Sequence, residues 1–258
     1  MKKYFAGIDI GSISTEVVIV DDRGKIQGYA IELSGADSRK AQDRAFAEAL
    51  KQAGLKQTDL QKIIATGYGR ERANADSNVT EITCHSRGVF EIFPQVRIII
   101  DIGGQDSKAI RVDEKGKVIN FQMNDKCAAG TGRFLEVMAR ALEVEVSEMG
   151  EMEKASKKKL QVSSVCTVFT ESEIVGLLAR GEKREDIIRA VHNSVAERVF
   201  GLVSRVGIEP EIALSGGVAK NSGVARALSE KLNRQILLPE EPQIMGAFGA
   251  ALIAMETS

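Results

Sequence analysis

The chain has 258 residues, with 35 basic and 36 acidic side chains and a formal net charge of -1. Because no excess charge is present to attract nucleic acid or an anionic membrane surface, we expect neither as a partner. The N-terminal apolar run ends at Asp9, and no later stretch approaches about 18 apolar residues, which predicts a soluble cytoplasmic protein. Three cysteines without a CxxC pair argue against a disulfide framework and leave free thiols or metal ligation open.

An internal repeat organises the chain. The segment DIGSISTEVVIVDDRGKI, which begins at Asp9, matches DIGGQDSKAIRVDEKGKV, which begins at Asp101, without gaps and at a constant offset of 92 residues. In each copy an apolar strand (residues 4–8 or 96–100) runs into Asp-Ile-Gly, and a second apolar run ends in a polar turn that contains glycine. Each copy therefore predicts a three-stranded meander with a glycine-containing first corner.

The remaining elements follow the two meanders. After the first meander the sequence predicts a helix at 41–53, a strand at 62–66 and a helix at 86–93. After the second it predicts helices near 131–142, 171–179 and 187–206, strands at 211–215 and 235–238, and a final helix from Met245. Strands that precede alternating helices and strands predict an α/β fold of two domains, each a mixed sheet flanked by helices.

The predicted domains are 1–95 and 96–258. The stretch EMGEMEKASKKK, residues 148–159, fits the regular pattern of neither copy and is interpreted as part of an insertion near 147–166. Its lysines are predicted to be solvent-exposed. The prediction leaves open that the C-terminal helix packs back on the first domain.

The two Asp-Ile-Gly corners have the chemistry of phosphate sites. Glycine at a corner lets backbone N–H groups approach a ligand, and neighbouring hydroxyl groups add donors. Asp9 and Asp101 are candidate ligands of Mg²⁺, directly or through water, because this cation prefers oxygen ligands. The alternative is that these glycines serve only turns and helix packing, and two corners in register, with SGG at 215–217 and GAFG at 246–249, favour the phosphate interpretation.

Four strings together resemble a known superfamily. DIGSIST, DIGGQDSK, SGGVAKN and GAFGAAL are similar to the two phosphate motifs, the adenosine motif and the second connecting motif of the actin, sugar-kinase and heat-shock-chaperone ATPases. The resemblance covers nearly the whole chain. It implies two ribonuclease-H-like domains with the nucleotide, ATP or ADP, in the interdomain cleft.

Longer strings narrow the resemblance. ATGYGR, EITCHSRG, NDKCAAGTGRFLE and SSVCTVFTESE closely resemble the activating ATPases (component A) of 2-hydroxyacyl-CoA dehydratases, in the BadF/BadG/BcrA/BcrD ATPase family. The resemblance implies an ATPase that passes a low-potential electron to a dehydratase or a related reductase, with a ferredoxin- or flavodoxin-type protein as upstream donor. It also implies a homodimer with one 4Fe-4S cluster, for which Cys127 and Cys166 match the two ligands of each subunit.

The cysteines can also be judged from the residues alone. Cys127 and Cys166 each come just ahead of a predicted helix, where the N-terminal N–H groups and the helix dipole stabilise a thiolate or an anionic cluster. Inert, buried cysteines remain an alternative on this evidence. Cys84 is predicted to be a packed or cleft-lining thiol, with a redox role as the lesser alternative. His85 and His192 are predicted to be structural because their spacing does not suit a metal site.

The resemblance and the turn chemistry together assign nucleotide roles. The first phosphate loop is predicted to be Gly11, Ser12, Ile13, Ser14 and Thr15, and the second Gly103, Gly104 and Gln105. Gln105 or Asp106 is predicted to orient the attacking water. The adenosine contacts are predicted to be Ser215, Gly216 and Gly217, with Gln243 near the base. Glu136 either reaches the ribose or is an ordinary exposed helix residue.

Three alternative functions remain at this stage. An amino-sugar kinase would use the same fold with incidental cysteines, but it needs an acidic base where ATGYGR offers Arg70 and Glu71 in place of an aspartate. A benzoyl-CoA reductase-type ATPase subunit differs from the activator only in its partner. A sensor or scaffold would use the nucleotide only to switch shape, and the cysteine motifs argue against it.

Overall fold

The computed structural model describes residues 2–35 and 37–258. The chain forms two compact units. Unit 1 consists of the chain up to Val96 together with Val112–Ile119 and Pro239–Ser258, and unit 2 consists of Arg97–Arg111 and Asn120–Leu238. The sequence interpretation placed 96–258 in the second domain and allowed the C-terminal helix to pack back on the first. In the structure, residues 112–119 and the C-terminal segment are grouped with unit 1.

The first part of the chain contains five strands and two helices. In chain order they are β1 (Tyr4–Ile10), β2 (Ser14–Asp21), β3 (Ile26–Leu33), α1 (Ser38–Ala53), β4 (Leu60–Thr66), β5 (Ser77–Asn78) and α2 (Glu81–Ile92). The first predicted meander is confirmed. Helix α2 begins at 81, earlier than the predicted 86, because the Thr80 side chain accepts a hydrogen bond from the Thr83 N–H and caps the helix there.

The second part contains the other five strands and six helices. They are β6 (Ile98–Ile102), β7 (Ser107–Val112), β8 (Val118–Asn124), α3 (Gly132–Leu142), α4 (Val146–Met152), α5 (Thr167–Ala179), α6 (Arg184–Val206), β9 (Ile212–Ser215), α7 (Ser222–Leu232), β10 (Ile236–Leu237) and α8 (Met245–Glu256). The second meander is confirmed. Helix α4 was missed, since it lies partly in the stretch interpreted as irregular; the predicted exposure of the lysines in that stretch is correct.

The two sheets share one topology. The order is β3-β2-β1-β4-β5 in the first sheet and β10-β9-β6-β7-β8 in the second. In each, the strand that ends in Asp-Ile-Gly pairs antiparallel with the next strand along the chain and parallel with a later strand, β4 or β9. The predicted fold, two α/β domains with mixed sheets flanked by helices, is confirmed.

The repeat also extends to hydrogen bonds. At the second corner of each meander, Asp21 Oδ1 and Asp113 Oδ1 accept the N–H groups of the second and fourth residues that follow, at 3.0 and 3.1 Å and at 2.8 and 2.9 Å. Gly24 and Gly116 both have positive φ, 74° and 76°. Side chains at the same offset of 92 therefore build the same turn twice, so the two Asp-Ile-Gly corners are also comparable position by position.

Each unit has its own apolar core. In unit 1, α1 packs on the meander around Phe46, and in unit 2 the long helix α6 contributes buried side chains along its whole length. Within the described ranges, no helix has the length and apolar character needed to cross a bilayer. Each core holds the strand that ends in Asp-Ile-Gly in its own unit.

Candidate functional site

Both Asp-Ile-Gly corners have the same backbone geometry. The Gly11 N–H donates to the Ser14 carbonyl at 2.9 Å, and the Gly103 N–H donates to the Asp106 carbonyl at 3.0 Å. Each bond closes a tight turn between the strand that ends in Asp-Ile-Gly and its antiparallel neighbour. We call these the first turn (residues 11–14) and the second turn (residues 103–106).

Asp9 lies at the first turn in a space formed by two glycines. Its side chain is buried, and His85 Nε2 is 3.5 Å from Asp9 Oδ2. A Cβ on Gly67 would lie 2.2 Å from Asp9 Oδ1, and a Cβ on Gly246 would lie 2.0 Å from Asp9 Oδ2. Both carboxylate oxygens are thus next to bare backbone. A carboxylate in this setting fits a ligand of Mg²⁺, directly or through water.

Glu16 is the cross-strand partner of Asp9. Residues directly opposite each other in an antiparallel pair project to the same face, so the two carboxyl groups are neighbours. Burial raises the pKa of Glu16 to about 8, and the charge of Asp9 adds to this rise, while hydrogen bonding by Ser14 and Gln243 opposes it. The first turn therefore concentrates acidic groups.

Gln243 belongs to this turn as well. Its Nε2 donates to Ser14 Oγ at 2.9 Å and to Glu16 Oε1 at 3.0 Å. The sequence interpretation put Gln243 near the adenine base, whereas here its side-chain amide is bound to the first turn. Its contacts suit a residue that holds the Ser14 hydroxyl in position.

The second turn has a different charge pattern. Lys108 Nζ is 3.1 Å from Asp101 Oδ2 and 2.8 Å from Asp106 Oδ2, and only 2% of the Lys108 side chain is exposed. The Ser215 hydroxyl donates to Asp101 Oδ1 at 3.2 Å. Both oxygens of Asp101, a predicted Mg²⁺ ligand directly or through water, are therefore in contact with protein groups.

The residues predicted to contact adenosine follow β9. Gly216 has a φ of 85°, and a Cβ there would lie 2.4 Å from the Ile102 carbonyl oxygen, so this position requires glycine. Gly217 begins a short 3₁₀ helix that ends at Lys220. The Ser215 hydroxyl is directed to Asp101, so Gly216 and Gly217 are the members of this group that present backbone.

Unit 1 has a counterpart of this glycine. Thr66 pairs with Asp9 and precedes Gly67, just as Ser215 pairs with Asp101 and precedes Gly216. Gly67 has a φ of 84°, and a Cβ there would clash with the carbonyl of Ile10. ATGYGR, quoted above only for its resemblance, thus supplies the equivalent strand end in the other repeat.

The two candidates for orienting water differ in their surroundings. Asp106 is held by Lys108, whereas the Gln105 side chain is exposed at the tip of the second turn. Glu136 lies on α3 and forms an ion pair with Arg133 at 2.8 Å. Gln105 is therefore the more available of the two candidates, and Glu136 has the contacts of an exposed helix residue.

Cys127 and Cys166 are brought together within unit 2. Cys127 lies in the loop between β8 and α3, Cys166 is the N-cap residue of α5, and Cys127 Sγ is 3.8 Å from the carbonyl oxygen of Val165. Both thiols are free and partly accessible. Two accessible thiols on adjoining loops, one of them at a helix N-terminus, fit thiolate ligands of an anionic cluster.

The Cys127 loop is fixed by polar contacts. Asn124 Nδ2 donates to the carbonyl oxygens of Cys127 and Ala129, at 2.8 and 3.2 Å. The Thr131 hydroxyl donates to the Ala128 carbonyl oxygen at 2.6 Å. The loop is consequently anchored at both ends, to the end of β8 and to the start of α3.

The start of α3 is also bonded to the second turn. The Gly132 N–H donates to the Gly103 carbonyl oxygen at 2.9 Å, and the Arg133 N–H donates to the Gly104 carbonyl oxygen at 2.8 Å. These are two of the N–H groups that a helix leaves unsatisfied at its first turn. A movement of the second turn would therefore be transmitted to the residues that follow Cys127.

Exposed apolar side chains occur in the segments that carry the two cysteines. Val165, Val168 and Phe169, beside or just after Cys166, are each about two-thirds exposed. Alternate residues of β8, the strand that leads to Cys127, also expose large apolar side chains: Ile119, Phe121 and Met123. Clustered exposed apolar groups of this kind are typical of protein interaction surfaces.

Three residues near the turns were missed from the sequence. Glu16 and Lys108 occupy matching positions of the repeat, at the end of DIGSISTE and DIGGQDSK, and the alignment contained that signal. His85 was predicted to be structural only, yet it contacts Asp9. No sequence signal pairs His85 with Asp9, because they are 76 positions apart.

The shared sheet topology, with one Asp-Ile-Gly turn in each sheet, defines an actin-like ATPase fold. Comparison with known proteins agrees, since the profile of the BadF/BadG/BcrA/BcrD ATPase family matches residues 6–254. The chain belongs to this family.

Close relatives carry informative names. The chain is 47% identical to the activator of lactoyl-CoA dehydratase from Anaerotignum propionicum, over 99% of this chain and 98% of the relative. It is 46% identical to the (R)-2-hydroxyglutaryl-CoA dehydratase activating ATPase from Acidaminococcus fermentans, over 98% of each chain. Among solved structures, the activator of the 2-hydroxyisocaproyl-CoA dehydratase from Clostridium difficile with bound ADPNP is 44% identical, with a TM-score of 0.94, over 98% of this chain and 95% of that one.

Proposed function

We propose that this protein is an ATP-hydrolysing iron–sulfur electron donor that activates a 2-hydroxyacyl-CoA dehydratase or a related reductase in the cytoplasm. The observation that carries the proposal is the arrangement in unit 2, where two accessible cysteines adjoin each other and the helix that follows Cys127 is bonded to the second turn. The relatives at 44–47% identity, all named as dehydratase activators or activating ATPases, support the same function.

The proposed nucleotide is ATP, or ADP after hydrolysis, with Mg²⁺. Bare backbone at the two turns suits phosphate oxygens, and Gly216 and Gly217 suit the adenosine. The remaining assignments follow the sequence prediction: Gly11, Ser12, Ile13 and Ser14 in the first turn with Thr15 directly after it, and Gly103, Gly104 and Gln105 in the second turn. Phosphoryl transfer requires mainly positioning and charge neutralisation, so an exposed Gln105 suits the orientation of the attacking water.

The proposed 4Fe-4S cluster is held by Cys127 and Cys166 of two chains. A cubane cluster takes four thiolates, and within the described ranges no group of three or more potential metal ligands occurs in one chain. Two chains related by a two-fold axis would supply the four thiolates. When bound, the cluster supplies a one-electron carrier.

A homodimer also suits the surface next to the cysteines. The exposed apolar side chains Val165, Val168 and Phe169 adjoin Cys166, so a partner that brings its own cysteines to this place would cover them. Burial of apolar surface contributes roughly 25 cal/mol per Å², which favours association.

The chain offers a direct route by which the nucleotide would affect the cluster. A phosphate group at the second turn would be held by the N–H groups of Gly104 and Gln105, since the Gly103 N–H closes the turn by donating to the Asp106 carbonyl oxygen. The carbonyl groups of Gly103 and Gly104 accept from the first two residues of α3. Loss of the terminal phosphate would therefore alter the support of the Cys127 loop, and an upstream ferredoxin- or flavodoxin-type donor would recharge the cluster.

The comparisons support the activator function and not the amino-sugar kinase alternative. The likeness to a glucokinase structure is at 12% identity, which shows a shared fold alone. A benzoyl-CoA reductase-type ATPase subunit remains the related alternative within the family, and it differs in the partner that receives the electron.

The proposal is tested by activation of an acceptor enzyme. Reduced protein, prepared without oxygen, is mixed with ATP and with the purified dehydratase for lactoyl-CoA, 2-hydroxyglutaryl-CoA or 2-hydroxyisocaproyl-CoA, and formation of the unsaturated acyl-CoA is followed. Product is expected with at least one dehydratase, only with ATP, and not with the Cys127→Ser variant. ATP consumption that depends on an added sugar, with no activation of any acceptor, would establish the kinase alternative instead.

A further inference from the structure

The two turns share one backbone and differ in charge at one buried position. Asp9 and Asp101 occupy matching places, and their cross-strand partners are Glu16 and Lys108. The Glu16 and Lys108 side chains are 4% and 2% exposed. The repeat thus holds an acidic group in one copy and a basic group in the other, at a site where geometry is otherwise kept.

Lys108 supplies a positive charge that cannot leave the second turn. Its ammonium group is bonded to Asp101 at 3.1 Å and to Asp106 at 2.8 Å, and an unpaired ammonium at this depth would be very costly. Removal of one partner from a buried pair leaves the other uncompensated, so the pair persists. Asp101 therefore already has a cation of the protein beside it, which it shares with Asp106.

The first turn has an acidic residue, Glu16, at the position where the second turn has Lys108. Asp9 and Glu16 are neighbouring acidic groups; His85 lies beside Asp9, and Glu16 accepts a hydrogen bond from the Gln243 amide. The Gln243 amide is neutral. Asp9 thus faces an acidic group where Asp101 faces a lysine, and a bound cation would stabilise the ionised form of both carboxyl groups.

We propose that Lys108 is the permanent cation of the second turn, and that the divalent cation of the nucleotide is therefore bound through Asp9 and not through Asp101. This inference rests on the proposed ATP-binding function. Lys108 is a positioning residue, since its buried side chain acts through Asp101 and Asp106. It pairs with both carboxylates and offsets one of their two negative charges, so phosphate oxygens approach the N–H groups of the second turn against less repulsion and without a second metal ion.

The test measures metal binding separately from activity. Nucleotide binding to the wild-type protein is first established by calorimetry with ADP. Mn²⁺ is then titrated into the ADP complex and its free form is followed by electron paramagnetic resonance. The expected stoichiometry is one Mn²⁺ per chain. The Asp9→Asn variant is expected to bind Mn²⁺ about 10-fold more weakly or worse, while Asp101→Asn stays within about threefold of the wild type.

A double variant serves as the control in case Asp101→Asn alone does not fold. Asp101→Asn combined with Lys108→Met removes both members of the ion pair, a change that buried pairs often tolerate, and folding is checked by circular dichroism. Its Mn²⁺ affinity is also expected to stay within about threefold of the wild type. Anomalous scattering from Mn²⁺ in crystals of the wild-type protein with ADP locates the ion without any substitution. The ion is expected beside Asp9.

The outcomes separate the two proposals. Equal weakening of Mn²⁺ binding by Asp9→Asn and Asp101→Asn, or a Mn²⁺ ion beside Asp101, would overturn the inference while nucleotide binding still supports the ATPase. Absence of any ADP or ATP binding to the wild-type protein would overturn the proposed function itself, and the inference with it.

Discussion

The three cysteines differ in their exposure to solvent. Cys84 is fully buried, and burial raises the pKa of its thiol to about 12. Cys127 and Cys166 are partly exposed. Since the thiolate is the form that attacks an alkylating agent or binds iron, only the two accessible thiols have the properties of ligands. The prediction that Cys84 is a packed thiol is confirmed.

Alkylation tests this distinction directly. In cluster-free folded protein at pH 8, iodoacetamide is expected to modify Cys127 and Cys166 and to leave Cys84 unmodified, because a pKa of about 12 leaves roughly one Cys84 thiol in 10⁴ ionised. Peptide mass spectrometry measures the result, and all three should react in denaturant. Equal rates at the three sites in folded protein would contradict this account.

Glu153 is the centre of a buried polar cluster in unit 2. Glu153 Oε2 is 2.5 Å from His192 Nδ1, and Glu153 Oε1 is bonded to Arg226. Burial by itself would raise the pKa of Glu153, but hydrogen bonding and charge from His192, together with the charge of Arg226, hold it below its ordinary value of 4.5. The cluster joins the segment after α4 to α6 and α7.

The pH dependence of stability follows from this shift. A lowered pKa contributes stability that is present above the unfolded pKa and is lost as pH falls through the folded pKa. Glu153→Gln is expected to cost roughly 3 kcal/mol at pH 7, with a difference from wild type that shrinks below about pH 4. Urea unfolding measures both values.

A neighbouring carboxylate provides the control for Glu153. Glu151 is exposed and pairs only with exposed Lys154, so Glu151→Gln is expected to change stability by less than about 0.5 kcal/mol at either pH. If Glu153→Gln lowers the free energy of unfolding by the same amount at pH 7 and in acid, then packing, and not the charge of Glu153, stabilises this cluster.

At the scale of the element, glycines allow α2 and α8 to cross closely within unit 1. A Cβ on Gly249 would lie 1.8 Å from the Cys84 carbonyl oxygen, and a Cβ on Gly88 would lie 2.2 Å from the Met245 carbonyl oxygen. Side chains at these positions would force the helix backbones apart. The string GAFGAAL, which includes Gly249, therefore has a packing role in addition to its resemblance.

Two alanine substitutions within helices should have opposite effects. Gly249→Ala is expected to destabilise unit 1 by about 3 kcal/mol because the clash is with backbone. Gly201→Ala, at an exposed position of α6 where a Cβ meets nothing within 4 Å, is expected to stabilise by about 1 kcal/mol. Urea unfolding of both variants checks the signs, and destabilisation by both would contradict the packing argument.

Local patterns predicted most of the elements and missed three, α4, α7 and β5. The meanders were predictable because apolar runs and turn residues at short range define them. Helix α4 was not, because its seven residues become ordered through distant contacts, in which Met149 is buried and Gly150 lies against Ser222. Strand β5 has two residues, too few for any period to be visible.

Contacts at the candidate site were less predictable than its motifs. The Asp-Ile-Gly turns and the cysteine strings are short and continuous in the sequence. The contacts of Asp9 with His85 and of Ser14 with Gln243 join residues that are 76 and 229 positions apart, and only the tertiary fold brings them together. The change from Glu16 to Lys108 was visible in the aligned repeat, but its consequence required knowledge of burial.

At the scale of the whole molecule, each chain carries two phosphate-type turns and two accessible cysteines. The turns are complete within each unit, whereas two thiolates are half of the usual complement for a cubane cluster. The account therefore requires two chains for each cluster, which relates oligomeric state, iron content and the identity of the cysteines to one another.

Iron content per dimer tests the central claim most directly. Protein purified without oxygen from iron-replete cells is analysed for iron and acid-labile sulfide, with its mass determined by light scattering. About four iron atoms per dimer are expected in the wild type and in Cys84→Ala, and almost none in Cys127→Ser or Cys166→Ser. Iron-free, colourless wild-type protein, or a full complement of iron in either Cys127→Ser or Cys166→Ser, would contradict the account.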